Sequence, residues 1–347
     1  MRSRRRFCWV CAISAGLILS CAMQSAITVD VLKPAAISLP GVHKIAIADF
    51  RGPELSGGQI ASQVQSGLMQ FDFFEIIERE KLVRILDEQK LGQSGIVNES
   101  TAKQVGQMLG VDALIFGEVT SYRVEPDETG TEKVSRQVGT GKYETVNEKN
   151  IFTGKTKKVR KEIMRTTLVD QPYKIRRGTV AVSFRVVDVE TGKLLAVKSD
   201  SKSYASGKVV DGGSETLKPE GEILDELSSA LTLRFVQMIA PHRVAERRVI
   251  EPGGGKIQEG KKFAQSGLWT EAAEAWAEAV QLMPKNPSAF YNLGLAHEVQ
   301  GNLDEAEKLI KKAISIQPKK LYIDALSRIR TERDEKAKLE EQLNSRQ

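Results

Sequence analysis

The sequence predicts a mixed α/β domain followed by an all-α region of helical hairpins. Three observations carry this reading. Strand-like and helix-like apolar periods alternate as far as Pro241, a Pro252-Gly253-Gly254-Gly255 stretch then interrupts the chain, and beyond it the sequence repeats itself at an offset of 34 residues. A chain of 347 residues has room for about two domains. With 41% hydrophobic and 6% aromatic residues it is apolar enough to fold and too polar to be a bundle of membrane helices.

The first twenty residues read as an export signal. Arg2, Arg4, Arg5 and Arg6 precede an uncharged, mostly apolar run from Phe7 to Leu19, which is long enough for a signal core and too short to span a bilayer. The run ends in Ile18-Leu19-Ser20-Cys21, which resembles a bacterial lipobox, so Cys21 is the expected acylated first residue of the mature chain. An ordinary secretory cleavage at Ala22 or Ala26 is the alternative. Ser3-Arg4-Arg5-Arg6-Phe7 partly matches a twin-arginine signal, which leaves the export route open. Cys8, Cys11 and Cys21 are the only cysteines, so the mature body has no disulfide framework and no thiolate metal site. The formal charge of +6 also comes largely from the leader. Without its four arginines, 47 basic residues face 45 acidic ones, which gives no reason to expect nucleic-acid binding.

Residues 21–41 are expected to be anchor and linker, and 42–241 the α/β domain. Val42 to Phe50 alternates as a strand and stops at Arg51-Gly52-Pro53. Ile60, Val64, Leu68 and Met69 fall at helical spacing, Phe73 to Ile77 reads as a second strand, and Leu82, Ile85, Leu86 and Leu91 line an amphipathic helix. Ser100 suits the cap of a helix through Val105, Met108 and Leu109, which Gly110 ends before the strand Ala113 to Val119. Residues 125–177 form a long polar insertion broken by glycines. Thr179 to Val189 and Leu194 to Tyr204 are strands joined by Glu190-Thr191-Gly192-Lys193, a hairpin. Ile223, Leu224, Leu227, Leu231, Phe235 and Ile239 then mark a helix that ends before Pro241.

Residues 242–255 read as a linker, 256–320 as two repeats and 321–347 as a charged cap helix. At the 34-residue offset Gly260 matches Gly294, Gly267 matches Gly301, Ala272 matches Ala306, Ala279 matches Ala313 and Pro284 matches Pro318. This is the tetratricopeptide pattern. The small residues let helix backbones approach, Trp276 and Ile310 fill the space between helices, and the prolines end each second helix. Such repeats bind peptides on a concave face lined by their first helices. Ile257, Lys261, Tyr291, Leu295 and Val299 are the expected partner-binding residues there, an apolar strip beside a lysine.

Within 42–241 four segments, KIAIADFRG from Lys44, the stretch Phe74 to Thr101, LGVDALIFGEVT from Leu109 and FRVVDVETGKLL from Phe184, resemble the curli production assembly/transport component (CsgG) family of bacterial lipoproteins. The resemblance implies an outer-membrane, periplasm-facing lipoprotein engaged in assembly or export of surface proteins, with a homo-oligomeric ring among its arrangements. It also raises a second reading, an oligomeric secretion channel whose hairpins join one barrel. The residues speak against barrel insertion. A lipid-facing strand needs 9–11 residues with one apolar face, yet Lys149 to Arg177 holds ten basic residues against Glu162 and Asp170. Leu195 to Val209 has an uncharged but serine-rich face, which suits an edge hairpin over water.

Enzyme chemistry is not expected. His43, His242 and His297 are scattered, so no metal or other cofactor is anticipated. Gly139-Thr140-Gly141-Lys142 lacks the spacing and the following Ser or Thr of a phosphate loop and reads as a polar turn. Lys155 to Lys161 is a basic strip suited to solvent or to a polyanion. The expected function is a lipid-anchored envelope adaptor. Its partners are a protein on the repeat arm and the membrane, reached through the N-terminal lipid.

Overall fold

The computed structural model describes residues 25–48, 50–77, 106–149, 154–210 and 215–345. The leader with Cys8 and Cys11, the expected lipidation site Cys21, the amphipathic helix expected through Leu82, Ile85, Leu86 and Leu91, and Ser100 and Val105 lie outside the described residues. The chain divides into an α/β unit, Lys33–His242 with Lys338–Gln347, and a helical unit, Arg243–Ala337 with the chain up to Leu32.

The α/β unit is built on a five-stranded sheet. Its strands are β2 (Lys44–Ile47), β3 (Glu75–Ile76), β4 (Ala113–Val124), β7 (Arg177–Asp188) and β8 (Leu194–Ala205), in the order β3-β2-β4-β7-β8. The β2 strand runs parallel to β3 and β4, whereas β4–β7 and β7–β8 are antiparallel. The hairpin read from the sequence is β7–β8, and its turn places Gly192 at φ 71°, where a side chain would be strained. The β8 strand is an edge, with Ser199, Ser201 and Ser203 on its exposed face.

Two helices cover one face of this sheet, α1 (Ser56–Phe71) and α2 (Glu220–Ile239). Ile60, Val64 and Leu68 of α1 are buried, as are Ile223, Leu227, Leu231, Phe235 and Ile239 of α2, and each contributes about 1.5–3 kcal/mol by leaving water. Met69, read as part of the apolar face, is 62% exposed. Phe184 of β7 stacks on Phe235 at 4.4 Å and meets Phe50 edge-on at 5.5 Å, tying sheet to helix. A smaller apolar cluster on Ala46, Leu114, Phe116 and Val187 faces the other way. It includes Val111, just after Gly110 ends a helical turn at φ 67°.

The polar insertion is regular structure. Strands β5 (Glu128–Lys149) and β6 (Thr156–Ile175) form an antiparallel ribbon, and the short β9 (Val209–Val210) pairs with the base of β6.

The helical unit holds α3 (Lys256–Gln265), α4 (Trp269–Leu282), α5 (Pro287–Val299), α6 (Leu303–Ile316) and the first part of α7 (Lys320–Asn344). The repeat glycines mark close crossings. A Cβ on Gly260 would lie 2.5 Å from the Trp276 ring, and one on Gly294 2.9 Å from Ile310. At α5, the Asn286 side chain accepts the Ser288 N–H at 3.0 Å and Pro287 follows the cap.

Three expectations change here. The linker read at 242–255 is mostly strand β10 (His242–Ile250), and the linker read at 21–41 contains strand β1 (Ser25–Lys33). The two pair in a two-stranded sheet. Ile27 of β1 and Ile250 of β10 join the apolar cluster around Trp276, which holds the strands on the helices. The cap helix is also more than a solvated cover, because Tyr322, Ala325 and Ile329 of α7 are fully buried with Tyr291 and Ile310.

Candidate functional site

Two places carry the groups that bear on function, one in each unit. The first is the ribbon. The ladder continues from β4–β7 into β5–β6 across Glu125-Pro126-Asp127 on one side and Arg176 on the other, and the Glu125 N–H donates to the Arg177 carbonyl at 2.9 Å. Arg176 fixes this junction. Its guanidinium donates to both carboxylate oxygens of Asp127, at 2.7 and 2.9 Å, and to the Lys218 carbonyl at 3.0 Å, while its own N–H meets Ser206 Oγ at 2.9 Å. The hydrogen bond from the Arg176 guanidinium holds the Asp127 carboxyl below its ordinary range. Lys208, before β9, pairs with Glu132 and sits 4.6 Å over the Tyr173 ring.

Pairing register assigns the two ribbon faces. One carries the apolar pairs Val134–Val169 and Val146–Val159, interleaved with Arg136, Arg165 and the pairs Glu144–Lys161 and Glu148–Lys157. The other carries Lys133–Asp170, Thr129–Lys174, Asn147–Lys158 and Arg160, which lies 5.1 Å over Tyr143. Charge therefore falls on both faces, as the residues indicated. Gly139 to Lys142 is not the hairpin turn expected. The strand bulges there, between Gly139 and Tyr143, with Gly141 at φ 69°. The Glu162 carboxylate accepts the Gly141 N–H at 2.8 Å, so an anion of the chain itself fills the position a phosphate would need. On the outer side of β5 no strand pairs with it among the described residues.

The second place is the groove of the helical unit, where the partner-binding strip was expected. The strip is not a free surface. Ile257, Tyr291 and Leu295 are buried at 1%, 1% and 0% exposure, and Lys261 and Val299 are half-buried. The chain's own strand covers part of the strip, with Ile250 packed in the cluster of Leu295, while Ile257 is buried against Ala279 and Ala289 of the neighbouring helices. Tyr291 donates its hydroxyl to the Val249 carbonyl at 2.9 Å and stacks on Tyr322 at 4.9 Å. Asn292 clasps the backbone of Glu251, accepting its N–H at 2.9 Å and donating to its carbonyl at 3.0 Å. The Glu251 carboxylate accepts from Lys319, Ser288 and Tyr322 at 2.6–3.0 Å. Burial pushes the Tyr291 phenol above its ordinary range.

Below lies a buried charge cluster. Glu298 accepts from Arg248 at 2.7 Å and from Arg328 at 2.7 and 2.8 Å, and Arg248 also reaches Glu332 at 2.6 Å and Glu246 at 2.7 Å. Arg248 is 3% exposed. Apolar spacing located the groove but not its occupant. The residues that hold it, Asn292 on the Glu251 backbone and Glu298 on the strand's own Arg248, follow no period and gave no signal.

Among the described residues no group of three or more His, Cys, Asp or Glu side chains is placed to hold a metal ion, and no helix is long and apolar enough to cross a membrane. His43 precedes β2, His242 begins β10 and His297 lies on α5.

Residues 55–221 match the family model described as Curli production assembly/transport component CsgG. This segment is a CsgG-family domain. It takes in most of the α/β unit, including the whole ribbon. Residues 258–343 match a second family, described as Domain of unknown function (DUF6340). No curated protein matches the chain. Similar solved structures include a PelC dodecamer from Paraburkholderia phytofirmans, at 10% identity over 63% of this chain and 100% of that chain, with a TM-score of 0.27. Lipoprotein GNA1162 from Neisseria meningitidis is 14% identical over 56% of this chain and 97% of that chain, with a TM-score of 0.28. The LpoB C-terminal domain from Salmonella enterica is 10% identical over 48% and 87%, with a TM-score of 0.27.

Proposed function

We propose that the protein is a non-enzymatic envelope lipoprotein, held at the outer membrane through Cys21 and facing the periplasm, that serves assembly or export of envelope or surface proteins by binding protein. The CsgG-family domain at 55–221 is the observation that carries this reading. The helical unit is read as a tetratricopeptide arm, on its 34-residue period and its close crossings at Gly260 and Gly294. Tyr291 and Leu295 of its expected docking strip lie against β10, so the adaptor surface is assigned to the ribbon instead. The unpaired side of β5 is a row of backbone donors and acceptors that a second copy of the chain or an exported strand would extend. Side-by-side addition of ribbons is one route to a ring.

The ribbon in this reading stays in water, because lysines and arginines occupy both faces and each would cost about 2–4 kcal/mol near a bilayer midplane. Single-particle imaging of the lipidated protein extracted in detergent tests it. An adaptor places all its folded protein density outside the micelle. A ring whose β-density crosses the micelle around a lumen would establish the channel in its place. The anchor is tested separately: Cys21→Ser is expected to move the protein from the salt-washed membrane pellet to the soluble fraction, and retention at the native level would refute lipidation there.

A further inference from the structure

The pairing of β1 with β10 bears on where the helical unit stands. From Cys21 to Ser25, the first residue of β1, the chain has four peptide links, which reach at most about 14 Å when fully extended. The β1 strand is not a loose tether from that point on. It is hydrogen-bonded to β10, Val29 is buried, and Ile27 packs into the cluster of Ile250, Ala264, Trp276 and Leu295. The β10 strand is in turn locked into the groove by Arg248, by the Tyr291–Val249 hydrogen bond and by the Asn292 clasp on Glu251. Each link from Ser25 to the core of the helical unit is thus part of a packed, hydrogen-bonded structure.

We infer that the helical unit is held close to the lipid surface that carries the anchor, joined to it by a link of only four peptide units. This rests on the reading of Cys21 as the lipidated residue. Two or three acyl chains on Cys21 fix that residue at the headgroup level, and the short link leaves the unit about one peptide segment away from it. The part of the unit around β1 therefore has a lipid surface as its neighbour, whereas an arm on a loose 21–41 linker would sweep the space beyond.

The chain supplies its own reporters. Of its three tryptophans only Trp9 lies in the leader, and Trp269 and Trp276 both belong to the helical unit, packed on the same cluster as Ile27. Full-length lipidated protein is reconstituted into phosphatidylethanolamine–phosphatidylglycerol vesicles containing a dansyl-headgroup lipid, and flotation is measured first. Protein that fails to float with the vesicles shows that the Cys21 reading is wrong, and the inference falls with it. In protein that does float, tryptophan emission is expected to transfer strongly to the dansyl acceptor. A 40-residue Gly/Ser insert between Met23 and Gln24, with a root-mean-square span of about 35 Å, is expected to lower the transfer at least twofold. Floating protein with equally weak transfer in both forms would overturn the inference while leaving the anchor intact. An insert this close to β1 could unzip it, so the dependence of transfer on acceptor density is also measured on the native chain. A distance of closest approach beyond the range of transfer overturns the inference without reference to any variant.

Discussion

Glu298 is the residue on which most of the helical unit's buried charge converges. Two guanidiniums, from Arg248 and Arg328, donate to its carboxylate, and both it and Arg248 are almost wholly withdrawn from water. Burying an ion pair gains little by itself, but removing one member leaves the other poorly compensated in a medium that solvates it poorly; here that is Arg328, since Arg248 keeps Glu246 and Glu332. Glu298→Gln is therefore expected to cost about 3–5 kcal/mol, read as an earlier denaturant midpoint. A loss below about 1 kcal/mol would mean that water reaches the cluster. Asn292 is a second fixed point, because its amide satisfies both backbone groups of Glu251 in a buried position. Asn292→Ala leaves these unpaired and should cost about 1–3 kcal/mol. Tyr291→Phe, which loses the bond to Val249 and leaves the backbone groups of Glu251 paired, should cost less. These residues also explain the misjudged strip. A helical period identifies which face of a helix is apolar, and nothing in it says what covers that face. Here the cover is a strand that reads as charged linker, because Arg243, Glu246, Arg247 and Arg248 interrupt any apolar run.

Elements that bury one face were legible, and elements without a buried face were not. The α2 helix and the β7–β8 hairpin could be placed from spacing alone, because each presents apolar side chains to a core at a period of 3.6 or 2. The ribbon strands β5 and β6 have water on both sides, so their order comes from backbone pairing and leaves no alternation to read. The β1 strand is hidden for another reason, since its partner β10 lies over 200 residues away. Between α6 and α7 the contact is ionic as well as apolar. Lys311, Arg333 and Arg330 surround the Glu307 carboxylate at 2.9, 2.8 and 3.2 Å and hold its pKa down at about 2, from an ordinary 4.5. A depressed carboxyl stabilises the fold above its unfolded pKa, and that contribution disappears as pH falls through the folded value. The helical unit should thus weaken between about pH 4.5 and 2, and Glu307→Gln should flatten that part of the curve while lowering stability at neutral pH. Parallel native and variant curves across this window would show that the cluster carries no linkage.

At the scale of the molecule, the open question is whether the ribbon meets water or lipid. Its strands of 22 and 20 residues would reach roughly 65 Å at 3.3 Å per residue, more than enough to span a bilayer, so length does not decide the matter. Side-chain placement does. A barrel strand turns alternate residues to lipid, and either choice of outward face on this ribbon puts several lysines, arginines and glutamates there. Assembly into a ring would not remove the difficulty, because adding ribbons edge to edge leaves each face where it was. Lipidated protein in planar bilayers is accordingly expected to give no large, stable conductance, at any protein concentration that supports self-association. Deleting residues 128–175 and joining Asp127 to Arg176 through a short Gly/Ser turn should leave the bilayer records unchanged and remove the self-association. Stable openings that disappear with this deletion would assign the ribbon to lipid, and the charges on one of its faces would then have to line a water-filled lumen.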